Sequence, residues 1–405
     1  VGAGTGCNLK TLNKKSIERQ LIKDDEQLSP VIRRVLELRL GGAQAAVKKI
    51  DALLARAGAD DRVRGEFRYH GAATGRWAGQ GAGVQNLKRP VVGDINKAIA
   101  AVATGDYQHV KRLYPKPLAV VGDCIRAMIC AAPGKVLIGA DFSAIESRVL
   151  AWIAGEQWKA DSYRRFDATR DSHDEPYRQT AAAIFRVHPR DVTPEQRNVG
   201  KTCDLAFGYM GGVNAFRKFS DQFTDEEVKV FNRDWRAAHP NIKQYWRRLD
   251  KAAWTAVVQR GRVVRCGIIT FKCDGTFLRL KLPSGRHLSY PQPRIIGDEH
   301  EQHVVFADNA VGQFTDCRHG QGAYGGLWTE NVVSGTARDL LAQAILRIEV
   351  AGYPIVLHVH DEIVAEVPER FGSTDEFTRL MTRKPAWALD LPIAAKAWTG
   401  ARYCK

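Results

Sequence analysis

Two carboxylates in this 405-residue chain stand out by where they sit. Asp141 closes the apolar run Lys135-Val-Leu-Ile-Gly-Ala140, and Asp361, followed by Glu362, separates the apolar runs 355–359 and 363–367. A carboxylate at the end of a core strand costs free energy unless something compensates it, and a divalent cation does so. Two of them on neighbouring strands can hold two hard cations ~4 Å apart, the arrangement that drives in-line phosphoryl displacement. For either aspartate alone, an ordinary turn residue is the commoner reading. A basic stripe changes the balance. Arg197, Lys201, Leu205 and Tyr209 recur every four residues within 194–209, a stretch that reads as a helix. They then share one slowly drifting face about 18 Å long. Two cations, an apolar residue and an aromatic can grip a triphosphate at one end and a base at the other. A plain amphipathic helix with a basic edge competes with that reading.

Other patterns carry less. Gly200-Lys201-Thr202 looks like the end of a phosphate-binding loop, but the required glycine five residues earlier is Glu195, and the lysine falls mid-helix. The alternating glycines at 2–6 and 79–83 lack the strand-to-helix setting of a dinucleotide site and read as loops. The eight cysteines form no C-x-x-C pair, which argues against structural zinc and fits the reduced thiols of a cytoplasmic protein.

The elements that must position the carboxylates follow from periodicity. A long helix is expected over 31–57, with Val31, Val35, Leu38, Val47, Ile50 and Leu54 as its stripe. A Gly-rich stretch, 65–90, follows, then an irregular insertion at 91–122 with one short helix. The run 135–140 reads as a buried strand and 145–154 as a helix. Further helices are expected at 175–187, 194–209, 224–237, 240–259 and 327–350. Strands are expected at 263–271, 277–282 and 287–290, and a hairpin flanks His360-Asp361-Glu362. Apolar residues make up 44% of the chain, enough for a real core. Sixty Lys and Arg against forty-five Asp and Glu leave a net charge of +15, which points to a polyanionic partner, nucleic acid before membrane. No apolar run reaches the ~20 residues that span a bilayer, and the first ten residues do not look like an export signal. The start at Val1 rather than Met fits a fragment or processed product.

Four segments together resemble the DNA polymerases of family A, and more closely their phage-encoded branch. Asp141-Phe-Ser-Ala-Ile-Glu-Ser-Arg148 resembles the motif D-[YF]-S-Q-I-E-x-R. Arg197-x-x-x-Lys201-x-x-x-Leu205-x-x-x-Tyr209 resembles the fingers-helix motif. His360-Asp361-Glu362 resembles H-D-E, and Thr74-Gly75-Arg76 with Gln85-Asn86-Leu87 resembles the T-G-R and Q-N-[IL] segment. They occur in the family's order, and the likeness runs from about Leu28 to the end.

The resemblance implies an α+β right-hand fold with an antiparallel palm sheet, helical fingers and a partial helical thumb. It divides the chain into a partial thumb (1–70), a first palm part (71–151, with the insertion), fingers (152–260) and a second palm part (261–405). It implies template-directed addition of dNTPs to a primer 3′-hydroxyl, in phage DNA replication in the cytoplasm of a bacterial host. Asp141 and Asp361 would hold two Mg²⁺ ions, with Mn²⁺ able to substitute, and Glu362 would support them. Arg197 and Lys201 would neutralise the β- and γ-phosphates, Lys201 also protonating the leaving group, with Leu205, Tyr209 and Tyr177 on the nucleotide side. Glu146 would be the gate against a ribose 2′-hydroxyl. Thr74, Arg76, Gln85, Asn86, Arg126, Asn331 and His360 would lie along primer–template DNA.

The sequence also departs from the family. Leu205 stands where Phe or Tyr is usual, Ala144 where Gln is usual, Tyr177 where a phosphate-contacting His is common, and Ser334 where a primer-side Gln is common. No room exists for a proofreading exonuclease domain, so a separate exonuclease or processivity partner is expected. A single-subunit RNA polymerase and a catalytically inactive nucleic-acid-binding palm are the alternatives. Glu146 opposes the first, and the intact carboxylates and cations oppose the second.

Overall fold

The computed structural model describes residues 14–23, 28–42, 48–298, 302–307, 314–315 and 322–403. The glycines at 2–6, the first ten residues and Cys7, Cys317 and Cys404 lie outside them. Among the described residues Cys124, Cys130, Cys203, Cys266 and Cys273 are free thiols.

Three helices come first, α1 (Lys14–Lys23), α2 (Pro30–Gly42) and α3 (Lys48–Leu54). The single helix expected over 31–57 is two helices in the described residues, with 43–47 outside them. Its stripe also differs. Leu36 is buried, with Ile32 and Leu40 packed beside it against Ile17 and Leu28, while Val31, Val35 and Leu38 are exposed. Apolar residues stand at 31, 32, 35, 36, 38 and 40, so spacing alone could not choose between adjacent stripes.

A two-stranded ribbon, β1 (Phe67–Arg68) with β2 (Ala78–Gly79), frames the turn that carries Arg76. The region 91–122 is not irregular. It holds α4 (Ile95–Ala103), α5 (Tyr107–Leu113) and most of α6 (Pro117–Ala127). Asp94 and Asp106 accept hydrogen bonds from backbone N–H groups of the first turns, and Pro117 starts the third helix. Those N-terminal signals were present in the sequence.

Next come β3 (Lys135–Phe142), α7 (Ile145–Ala154) and a run of helices, α8 (Gln157–Thr169), α9 (Pro176–Phe185), α10 (Pro194–Phe207), α11 (Val213–Phe216), α12 (Asp225–Ala238) and α13 (Pro240–Val258). Thr193 and Gln196 form a reciprocal cap that starts α10. The helix stops at Phe207, short of the expected 209, so Tyr209 lies beyond its end.

A four-stranded antiparallel sheet follows in sequence order, β4 (Val263–Cys266), β5 (Ile269–Cys273), β6 (Phe277–Lys281) and β7 (His287–Pro291). The strand expected over 263–271 is two strands, reversed through Gly267, whose φ of 60° suits glycine. A smaller sheet pairs β8 (Arg294–Gly297), β9 (Gln302–Ala307) and β10 (Phe314–Thr315). The chain continues through α14 (Gly325–Val350), β11 (Ile355–Val359), β12 (Glu362–Pro368), α15 (Thr374–Thr382) and β13 (Ala395–Gly400).

The sheet that matters for the site has the order β11-β12-β3-β13, antiparallel throughout. Alternation divides its side chains between two layers. Ile138, Ala140, Phe142, Ile363, Ala365 and Val367 join the main core with Leu340, Leu341 and Ala344 of α14. Leu137, Val364, Leu357 and Val359 pack on the other side with Leu53, Val84, Leu87, Ile125 and Tyr403. Burial on both sides explains why β3 reads as a continuous apolar run. Gly139 is needed in its middle, because a Cβ there would come 2.8 Å from the Trp398 indole.

Candidate active site

The register β3–β12 sets Asp141 opposite Glu362, and the backbone N–H of Phe142 donates to the Asp361 carbonyl at 3.1 Å. Val359 pairs with Glu362 across the hairpin, leaving His360 and Asp361 as a two-residue turn. His360 has a φ of 54°, a conformation that costs a residue with a Cβ and that recurs at functional turns. The turn delivers Asp361 to the end of β3, where its carboxyl meets the charge of Asp141. Burial, and then the negative charge of Asp141, push the Asp361 carboxyl up to about 7, with Arg76 pulling the other way.

That crowding tests the expected metal. Two carboxylates this close repel when both are ionised, and a divalent cation relieves the repulsion. Among the described residues no group of three or more His, Cys, Asp or Glu could hold a metal. The pair therefore fits an ion such as Mg²⁺, which takes one or two carboxylates and completes its shell with water and substrate phosphate. It does not fit an all-protein cage.

Glu362, the cross-strand partner of Asp141, is tied to β13 and the segment after it. Its carboxylate accepts from Tyr403 Oη at 2.6 Å and Trp398 Nε1 at 2.8 Å, with Arg126 Nη2 at 3.8 Å. Arg126, expected along the duplex, is buried here and donates to Tyr403, its guanidinium 4.1 Å from that ring. These four side chains hold the base of the hairpin rather than an open surface.

Glu146, in the first turn of α7, receives Arg76 Nη2 at 2.6 Å and the Tyr209 hydroxyl at 3.1 Å. Ala144 precedes that helix at φ 50°, in the left-handed region. Burial first, then Glu146, holds the Tyr209 phenol well above its ordinary pKa. Thus the acidic pair, Arg76, Glu146 and Tyr209 form one constellation from four distant segments.

The basic stripe of α10 is partly engaged. Arg197 makes a two-pronged ion pair with Glu175, Nε to Oε2 at 2.7 Å, and lies 5.7 Å from the Tyr177 ring. Lys201 and Leu205 are exposed. Gly200 proves to be a packing residue: a Cβ there would sit 2.3 Å from the Tyr177 carbonyl oxygen, so it lets α9 and α10 close together. Beneath the stripe Asp204 receives Lys159 Nζ at 2.7 Å and Trp235 Nε1 at 2.8 Å, with both charges only 2% exposed.

Thr74 is held by Arg286 and Ser334, and Gln85 is buried while Asn86 is exposed. The Asn86 carbonyl accepts from Lys49 Nζ at 2.9 Å. Asn331 donates to Tyr290 Oη at 3.0 Å, away from the hairpin contacts, and His360 is exposed. Sequence reading missed Arg286, Arg338, Asp339 and Glu175. An Arg-Asp pair inside the apolar helix 325–350 was the available signal for Arg338 and Asp339. Nothing local marked Arg286 or Glu175.

The profile of DNA polymerase family A matches residues 5–264. A DNA polymerase of Bacillus phage SP02 is 33% identical over 410 residues, 99% of this chain and 61% of the phage protein. DNA polymerase I, thermostable, of Thermus filiformis is 26% identical over 285 residues, 69% of this chain and 28% of its own. The solved POL domain of Pol1 from M. smegmatis, in complex with DNA primer-template and dNTP, matches with a TM-score of 0.65 at 19% identity, covering 99% of this chain and 58% of that one. That match shows the shared α+β fold. The chain thus spans less than two thirds of the length of these relatives.

Proposed function

Since the chain belongs to DNA polymerase family A, we propose that it is a template-directed DNA polymerase that adds dNTPs to a primer 3′-hydroxyl. The observation that carries this is the Asp141–Asp361 pair at one sheet end, with Arg76 reaching both it and Glu146. Bound divalent cations would lower the pKa of the attacking hydroxyl and neutralise charge gathering on the phosphate. Asp141 and Asp361 would hold them, two Mg²⁺ with Mn²⁺ as substitute. Lys201 would meet the β- and γ-phosphates and hand a proton to the departing pyrophosphate. Arg197 would join it on leaving Glu175, and Leu205 and Tyr177 would flank the nucleotide. Glu146, braced by Arg76 and Tyr209, would fill the space a ribose 2′-hydroxyl needs. Thr74, Arg76, Gln85, Asn86, Asn331 and His360 would follow the primer–template, with Glu362 and Arg126 bracing the hairpin from beneath.

The domain reading follows the same plan: partial thumb 1–70, palm 71–151 and 261–405, and fingers 152–260, where α8–α13 supply almost all the structure. Within that plan the insertion is the helical unit α4–α6. We place its work in phage DNA replication in a bacterial host, with a separate exonuclease or processivity partner, consistent with the likeness to a phage enzyme. No helix among the described residues is long and apolar enough to cross a membrane.

A primed-template extension assay with Mg²⁺, run in parallel with dNTPs and rNTPs, tests this. Extension with dNTPs only is expected. Asp141→Ala and Asp361→Ala should each reduce it by ~10³-fold or more while duplex affinity is kept. Equal use of rNTPs would favour an RNA polymerase, and no extension with retained duplex binding an inactive palm.

A further inference from the structure

The turn that carries Arg76 is held from one side by a buried cluster that the reading above leaves unused. Arg338 of α14, 8% exposed, donates from Nε to the Gly75 carbonyl at 2.9 Å. Its guanidinium lies 4.6 Å from the Trp77 ring and 5.4 Å from Tyr69. It therefore grips the residue on each side of Arg76. Arg286 donates from Nη2 to the Thr74 carbonyl at 2.8 Å and to the Gly335 carbonyl at 3.1 Å. Asp339, 4% exposed, joins the two by accepting from Arg286 Nε at 2.7 Å and Arg338 Nη1 at 3.2 Å. The turn itself is tight: Gly75 N–H donates to Ala72 O at 2.8 Å, and Ala72 N–H to Arg76 O at 3.1 Å. Backbone on both flanks is fixed, and the side chain of Arg76 is what remains to point at Glu146.

Energetics argue against simple packing as the reason for this cluster. Seating one buried and one half-buried guanidinium on a buried carboxylate is costly, and apolar residues of similar size are commonly as stabilising. Arg286 Nη1 is even left buried without a partner. A Cβ on Gly75 would stand 2.4 Å from that nitrogen, and its φ is +86°, so the turn is shaped to admit the arginine. We propose that Arg338, braced through Asp339 with Arg286, is a positioning residue that fixes the aim of Arg76 at the primer end. The proposal rests on the reading of Arg76 given above.

A double-mutant cycle tests it. In steady-state primer extension, Arg338→Ala should lower kcat about tenfold, with primer–template Kd within about twofold of the parent. Arg338→Lys, which keeps a cation over Trp77 but loses the planar fork, should fall between. In an Arg76→Ala background the Arg338→Ala loss should largely vanish, because it acts through Arg76. A full additional loss in that background, or a parental rate for Arg338→Ala alone, overturns the proposal. Should Arg338→Ala fail to fold by thermal melting, the same cycle with Arg338→Lys decides. Failure of the Arg76 reading looks different: Arg76→Ala alone would then extend primers at the parental rate, which also removes this proposal's premise.

Discussion

The carboxyl of Asp361 lies within the electrostatic reach of Asp141 although the two come from segments far apart in the chain. Antiparallel pairing of β3 with β12 brings them there, and the left-handed turn at His360 aims the second at the first.

That contact sets a pH dependence. The Asp361 carboxyl is raised from 3.8 to about 7, so in the absence of metal the folded state holds a proton that the unfolded chain releases. The stabilising contribution is full below about pH 4 and is lost as pH rises through 7. In chelator the melting temperature should fall between pH 5 and pH 8, and Asp361→Asn should flatten that fall. Mg²⁺ should restore several degrees at pH 8 and little at pH 5. Thermal melts across this grid check it, and identical slopes for parent and Asp361→Asn would contradict it.

On the face of α10 proposed to meet the nucleotide, Leu205 offers no ring, and it is 46% exposed. An aromatic side chain there offers more surface and a stacking face. Leu205→Phe should change the ratio of dideoxynucleotide to deoxynucleotide incorporation by several-fold. Competition in a single-nucleotide extension assay measures that ratio directly. An unchanged ratio means the position does not read the sugar.

The buried Lys159–Asp204 pair ties α8 to α10 beneath the basic stripe. Lys159→Met leaves Asp204 charged and unpaired and should cost about 3–5 kcal/mol in denaturant unfolding. Replacing both partners, Lys159→Met with Asp204→Leu, should recover much of that. If α10 depends on the pair for its seating, the single variant will also raise KM for dNTP more than the double.

Local pattern made much of this visible. Asp141 and Asp361 were legible because each stands at the end of an apolar run, and α10 because Arg197, Lys201, Leu205 and Tyr209 recur every four residues. What stayed hidden depends on distant partners. Arg338 reads as a charge inside an apolar helix until Gly75 and Trp77 are folded against it. Glu362 was read as supporting the metal pair, but the partners that hold it, Tyr403 and Trp398, are not near it in sequence. The region 91–122 was expected to be irregular with one short helix, although Asp94 and Asp106 stand where they cap two of its three helices.

The edge of β3 opposite β12 is covered by β13, whose residues 395–400 are made after the other three strands of this sheet. A ribosome that has not yet released Ala395 therefore presents β3 with one row of peptide groups bare, open to pairing with a stranger.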